Sequence, residues 1–167
     1  MESSTVEKNN KEQPSQRLAG SCLCGASKYA VLNQPIKMLV CHCINCKKFS
    51  GSEFAANIWF PRASFKDAAS SQIRKYADSN PDTERTLNRH FCGTCGCSLY
   101  ITVPHNPAII SIFSRTVDGL VRESAERPLP NTEAERLQGL GPEVELYCPR
   151  RPHWVEITSS TKKFQAQ

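Results

Sequence analysis

The sequence predicts a mainly β domain of short strands and short helical turns, stapled by metal-binding cysteines. Three observations carry this. Apolar residues come in short runs separated by turn formers, and the 167 residues include 11 Pro and 8 Gly. One stretch shows period-two alternation: Cys97, Leu99, Ile101 and Val103 against Ser98, Tyr100 and Thr102, a strand pattern. Finally, most of the nine cysteines fall in tight clusters, which in a chain without a secretion signal read as metal ligands.

Composition narrows the class. A chain of 167 residues, 39% hydrophobic, suits one domain with a real core. No apolar run approaches the ~18 residues of a membrane span. The first ten residues, Met1 to Asn10, lack the apolar core of a signal peptide, so a cytoplasmic location is expected, with the nucleus as a second possibility. The formal charge of +5 counts cysteines as neutral; seven thiolates around two dications subtract three and leave +2. So small an excess gives no case for nucleic acid as a partner; a small molecule is expected instead.

The elements follow in order. Residues 1–16 are polar and read as a disordered tail, with the domain spanning 17–158. Cys22-x-Cys24-Gly25 sets two sulfurs on a bend, where Gly25 supplies a positive φ. Strands are expected over 26–32 and from Ile36 into Cys41. The stretch from Ile44 to Phe49 forms a short helical turn stopped by Ser50-Gly51-Ser52. A strand follows from Glu53 to Phe60, with Trp59 and Phe60 as core residues, then an edge piece at Ala63-Ser64-Phe65 and a strand at Ile73–Tyr76. Ser79-Asn80-Pro81-Asp82 is a turn, and Thr83–Phe91 a strand leading into Cys92. Cys92-Gly93-Thr94-Cys95-Gly96 has the form of a knuckle whose backbone N–H groups approach the sulfurs. After the alternating strand, 108–113 reads as a buried strand and Asp118-Gly119 as a turn. The segment 122–142 is loop, with a short helix capped by Thr132. Val144–Tyr147 is the last strand, Trp154 joins the core, and 159–167 frays.

Two zinc groupings fit the spacings. In one, Cys22 and Cys24 join Cys92 and Cys95 in a closed structural site, and Cys41, Cys43 and Cys46 hold a second zinc with an open corner. In the other, one of those three enters a mixed site and Cys97 is recruited. The first is preferred, because the alternation points Cys97 toward the core. His42, inside the second motif, is expected at the surface or supporting a ligand, and Cys148 is expected to be inert.

With these motifs assembled, the chain resembles the family of glutathione-dependent formaldehyde-activating enzymes, which includes centromere protein V. The resemblance rests on Gly20-Ser21-Cys22-Leu23-Cys24-Gly25, on Cys41-His42-Cys43-x-x-Cys46-Lys47-Lys48-x-Ser50-Gly51-Ser52, and on Phe91-Cys92-x-x-Cys95-Gly96. It covers roughly residues 18–157. It implies the β-tent fold, packed antiparallel sheets around zinc, and the first of the two groupings. It also implies a carbon–sulfur lyase activity of the type that joins glutathione and formaldehyde in S-hydroxymethylglutathione. The long basic, Pro-rich extension of centromere protein V is missing here, which argues against a chromatin role by that route.

A mechanism follows from an open zinc at Cys41, Cys43 and Cys46. The ion can hold a thiol as its nucleophilic thiolate or polarise a carbonyl. Glutathione has two carboxylates, so Lys47, Lys48, Arg150 and Arg151 are candidate contacts, with Ser50 and Ser52 as hydroxyl donors. His42 and His153 are the histidines considered for acid–base work, and neither is assigned. Three alternatives belong to other classes. A non-catalytic zinc-stapled binding module would show four ligands at the second site. A lyase or cyclase for a non-glutathione metabolite would show a deep apolar pocket over it. A methionine sulfoxide reductase-like reaction, on the fold that family shares, would need Cys148 as nucleophile.

Overall fold

The computed structural model describes residues 18–68, 72–80, 85–118, 141–157 and 160–166. The expected tail over 1–16, the Pro81-Asp82 half of one turn, Gly119 and the expected helix after Thr132 lie outside these residues.

The chain opens with β1 (Leu18–Ser21) and β2 (Lys28–Val31), antiparallel across the Cys22–Gly25 bend. Gly25 takes φ +76°, as the bend requires. Gly20 is needed for another reason: a Cβ there would strike the Tyr29 ring. β3 (Lys37–Cys41) leads through Cys43 into α1 (Ile44–Ser50). This seven-residue helix is defined by its ends. The Cys43 sulfur accepts the Cys46 N–H at the N-cap, and Gly51 closes the helix in the left-handed region at φ 63°. Lys47 and Lys48 occupy its last turn, where the helix dipole favours cations.

β4 (Ala55–Pro61) follows, then a 3₁₀ turn at Arg62–Ser64 and β5 (Phe65–Asp67). The expected edge piece at Ala63–Phe65 is thus displaced. The chain must turn at Arg62–Ser64 to leave the larger sheet, and it extends again only from Phe65. β6 (Ile73–Asn80) and β7 (Arg85–Cys92) pair along eight residues. The strand runs through Ser79 and Asn80, both assigned to a turn from sequence, because their partners Thr86 and Arg85 continue the ladder. β8 (Ser98–Thr102), β9 (Ile109–Phe113) and β10 (Val144–Leu146) complete the body. A last strand, β11 (Lys162–Lys163), runs parallel to Val144–Glu145. The fraying expected from residue 159 therefore does not hold at Lys162–Lys163, where backbone pairing with β10 fixes the chain.

The strands form two sheets, β1-β2-β5 and β11-β10-β3-β4-β9-β8-β7-β6. Among the described residues all strand pairings are antiparallel except those of β10 with β3 and β11. β10 returns to β3 after a long excursion, and a parallel pairing requires such a crossover.

Alternation divides the large sheet. Ile58 and Phe60 of β4, with Ile110 and Ile112 of β9, face the small sheet and pack on Leu18, Tyr29, Val31 and Phe65 in the main core. The opposite face carries Leu39, Cys41, Ala55, Phe113 and Leu146, covered in part by Cys46 and Phe49 of α1. Trp59 is half-buried on this second face while Phe60 is fully buried on the first, so of the two expected core aromatics only Phe60 belongs to the main core. One bulge breaks the rule. His90 pairs with Tyr100 and Phe91 with Ser98, which leaves Leu99 as an extra residue. Leu99 accordingly joins the main core with Tyr100, whereas Ile101 lies on the second face. Trp154 is no core residue: it sits on a surface turn after Pro152, 65% exposed, and Val155 points inward in its place.

Candidate functional site

Two groups of thiols assemble. Cys22 and Cys24, on the β1–β2 bend, meet Cys92 and Cys95 from the β7–β8 turn, their Sγ atoms all within 4.8 Å of one another. The Cys22–Cys24 and Cys24–Cys92 separations are 3.6 and 3.8 Å. Four sulfurs at the Zn–S bond length of a tetrahedral site stand about 3.8 Å apart, so the donor set fits one zinc ion. Both halves are built by N–H groups turned toward sulfur. Ser27 N–H donates to Cys22 Sγ at 3.2 Å and Thr94 N–H to Cys92 Sγ at 3.4 Å. Backbone N–H groups of Cys97 and Cys24 pull the Cys95 thiol below its ordinary range. Cys97 is outside the group; it is half-buried against the main core.

Cys41, Cys43 and Cys46 form the second group, all buried and mutually within 4.8 Å. Cys41 ends β3, Cys43 caps α1 and Cys46 lies in its first turn. Thiols from Cys41 and Cys46 donate to Cys43 and, with the Arg89 charge, hold it down to about 3, while Cys41 is pushed up chiefly by donating to Cys43. One thiolate, at Cys43, is favoured here, while the Cys46 thiol, hydrogen-bonded to it and buried, is pushed up to about 11; three sulfurs so close suit a soft dication that would hold them all as thiolates. Among the described residues no fourth Cys, His, Asp or Glu joins them.

A buried polar network backs this group. Arg89 of β7, 2% exposed, directs Nη1 at Cys46 Sγ at 4.0 Å and gives Nε to Asp78 Oδ2 at 2.6 Å. Asn45 of α1 donates to both Asp78 oxygens at 2.8 and 3.0 Å, and the Phe49 ring lies under the guanidinium. His42 is fully buried rather than at the surface. Its Nε2 meets Glu145 Oε1 at 2.9 Å, and Arg151 Nη1 approaches the same oxygen at 3.3 Å. His42 thus anchors the Cys41–Cys43 link to β10, as does its backbone N–H, bonded to Leu146.

The second group opens onto a cavity of about 380 Å³ on the second face of the large sheet. Its buried floor is Leu39, Asn57, Ile101, Ser111 and Leu146, next to Cys41 and Cys46. Trp59, Leu87, Val103 and Ile109 form half-buried walls, and Arg85, His105 and Asn106 an exposed mouth. Strand register explains the grouping: Leu39 pairs with Asn57, Trp59 with Ser111, and Ser111 with Ile101.

None of Lys47, Lys48, Ser50, Ser52, Arg150 and Arg151 lines this cavity. Lys47 bonds the Arg150 carbonyl and approaches Glu53, Ser50 bonds the Lys47 and Phe54 carbonyls, and Arg151 reaches Glu145. They lie along α1 and the Cys148–Arg150 turn, while the cavity lies on the sheet. The cavity residues were missed from sequence. Asn57 and Ser111 left one signal, a polar residue interrupting an apolar strand face. Cys148 joins neither thiol group; its Sγ donates to the Glu145 carbonyl at 3.4 Å. Among the described residues no helix is long and apolar enough to cross a membrane.

The sequence model of a family described as glutathione-dependent formaldehyde-activating enzyme matches residues 17–148. A crystal structure of a Rhodobacter sphaeroides protein is similar at 19% identity and a TM-score of 0.47, over 65% of this chain and 90% of that one. No curated protein matches the chain significantly by sequence.

Proposed function

The chain belongs to the glutathione-dependent formaldehyde-activating enzyme family, and on that premise we propose that it makes or breaks a carbon–sulfur bond of a small thiol adduct at Cys41, Cys43 and Cys46. The observation that carries this reading is a three-thiol group closed on one side by Arg89 and open on the other to a cavity. Zinc held there would supply a soft Lewis acid that keeps a substrate thiol in its nucleophilic form.

The chain's own residues do the rest. Three thiolates around one dication carry a net negative charge, and an anionic substrate sulfur adds another. Arg89, buried beside Cys46, offsets that charge in a site of low dielectric. Asp78 and Asn45 keep the guanidinium in place. The apolar walls would limit the water around the reacting sulfur. In the forward direction the thiol sulfur bonds to the aldehyde carbon, the carbonyl π pair moves to oxygen, and the thiol proton ends on that oxygen. The product is a hydroxymethyl thioether, and the reverse reaction releases both partners.

The cavity also supports a second reading, an enzyme of the same scaffold acting on a metabolite other than glutathione, because its floor and walls are mainly apolar. The four-ligand binding module gains no such support among the described residues. The test is NMR exchange between zinc-loaded protein, glutathione and formaldehyde, with Cys43→Ala as reference for the uncatalysed reaction. Faster exchange in the parent alone is expected; equal rates would remove the formaldehyde activity.

A further inference from the structure

We propose that the cavity selects an amphipathic thiol: an apolar ring or chain, a single carboxylate, and an N–H or O–H donor near the sulfur that pairs with Asn57. The proposal rests on the thiol reading above and names the substrate class.

Asn57 is 2% exposed, lines the cavity floor, and its Oδ1 has no hydrogen-bond partner among the described residues. An amide oxygen buried without a partner is costly, so the position favours a ligand whose donor the Asn57 amide can turn to meet. Its place relative to the thiols sets where that donor lies. Asn57 pairs with Leu39 and Ala55 with Cys41. Asn57 and Cys41 are therefore diagonal neighbours on one sheet face, at a separation of about 7–8 Å between such positions. A donor a few bonds from the substrate sulfur falls within that interval.

The remaining lining sets the other two features. Trp59, Leu87 and Val103 offer an apolar wall, suited to a ring or an alkyl chain. Among the described lining residues positive charge is confined to the mouth, where Arg85 stands 3.4 Å from His105, in place for one carboxylate. No Asp or Glu lines the described wall, so away from the thiol group an ammonium meets no carboxylate in the cavity. Glutathione brings an ammonium and two carboxylates, which this surface matches poorly. The lysines and arginines first assigned to it lie elsewhere.

Trp59 provides the readout, in a Trp154→Phe background that removes the exposed indole. N-benzoylcysteine is the probe, because it carries a thiol, an amide N–H, a ring and one carboxylate. Fluorescence titration of the zinc-loaded protein should show it binding at least about tenfold tighter than glutathione. The N-methyl analogue, which lacks the N–H, should bind about tenfold more weakly than N-benzoylcysteine in the parent. Asn57→Leu should erase that difference. Glutathione binding as tightly as the probe, or parent protein indifferent to the N-methyl group, would overturn the proposal; the second comparison needs no variant to fold. N-benzoylalanine separates the two claims. If it binds as tightly as N-benzoylcysteine while Asn57 still matters, the thiol reading fails and the Asn57 contact stands.

Discussion

The two thiol groups invert a common expectation. The four-thiol group lies at the edge of the molecule, with Cys24 exposed and Cys95 half-exposed, whereas all three members of the other group are buried. Connectivity explains the difference better than depth. Cys24 and Cys92 stand 68 residues apart in sequence, so a metal there ties the small sheet's first hairpin to the large sheet and closes a long loop. Cys41, Cys43 and Cys46 come from one short stretch that β3 and the α1 cap already hold in place. A metal there adds little to the chain's closure and much to the charge facing the cavity. On the proposed reading a metal in the first group would staple the fold, and one in the second would equip a site.

The largest effect to test this contrast is on stability. Cys92→Ser should remove most of it, since a four-sulfur zinc site contributes on the order of 10 kcal/mol of apparent folding energy in small domains. Thermal melting with zinc analysis reads this, and a variant that melts like the parent with full zinc would break the distinction. A smaller loss is expected from Asp78→Asn. It leaves Arg89 buried without its carboxylate, a change that costs about 3–5 kcal/mol for such pairs. Urea unfolding should show the loss while the four-thiol group keeps its metal. Smaller again is the response to mild chelation: one zinc equivalent should leave with the far-UV circular dichroism unchanged, because three protein ligands hold less tightly than four. Loss of both metals together with unfolding would contradict the assignment. Cys148→Ala should change nothing in zinc stoichiometry; a lower value would make Cys148 a ligand and close the open site.

Legibility from sequence follows the range of the interactions. The cysteine motifs and α1 were readable because each is local, whereas joining Cys22 and Cys24 to Cys92 and Cys95, 68 residues on from Cys24 to Cys92, rested on the family resemblance and on setting Cys97 aside. Cys43 and Gly51 cap the one helix that holds Cys46, and Gly25 takes the positive φ its bend demands. Most strands showed as short runs between turn formers, and one in its alternation. The bulge at Leu99 did not, since it depends on the register of β7 against β8. The cavity was hidden for the same reason. Asn57, Ser111 and Arg85 come from three strands, and only cross-strand pairing sets them on one face. The Arg89–Asp78–Asn45 network joins β7, β6 and α1, and no local pattern announces it. Lys47 and Lys48 drew attention by lying next to the cysteines, but the helix carries them along its own last turn.

The central claim is that Cys41, Cys43 and Cys46 form the open group at which a thiol is handled. X-ray absorption at the zinc edge of the two-zinc protein, with and without N-benzoylcysteine, tests it most directly. Four protein sulfurs at one ion and three at the other average about 3.5 per zinc. Added thiol should raise that average toward about 4, and Cys43→Ala, which keeps only the four-thiol metal, should show no change. A parent spectrum already at four sulfurs, or one that thiol leaves unaltered, would contradict the account.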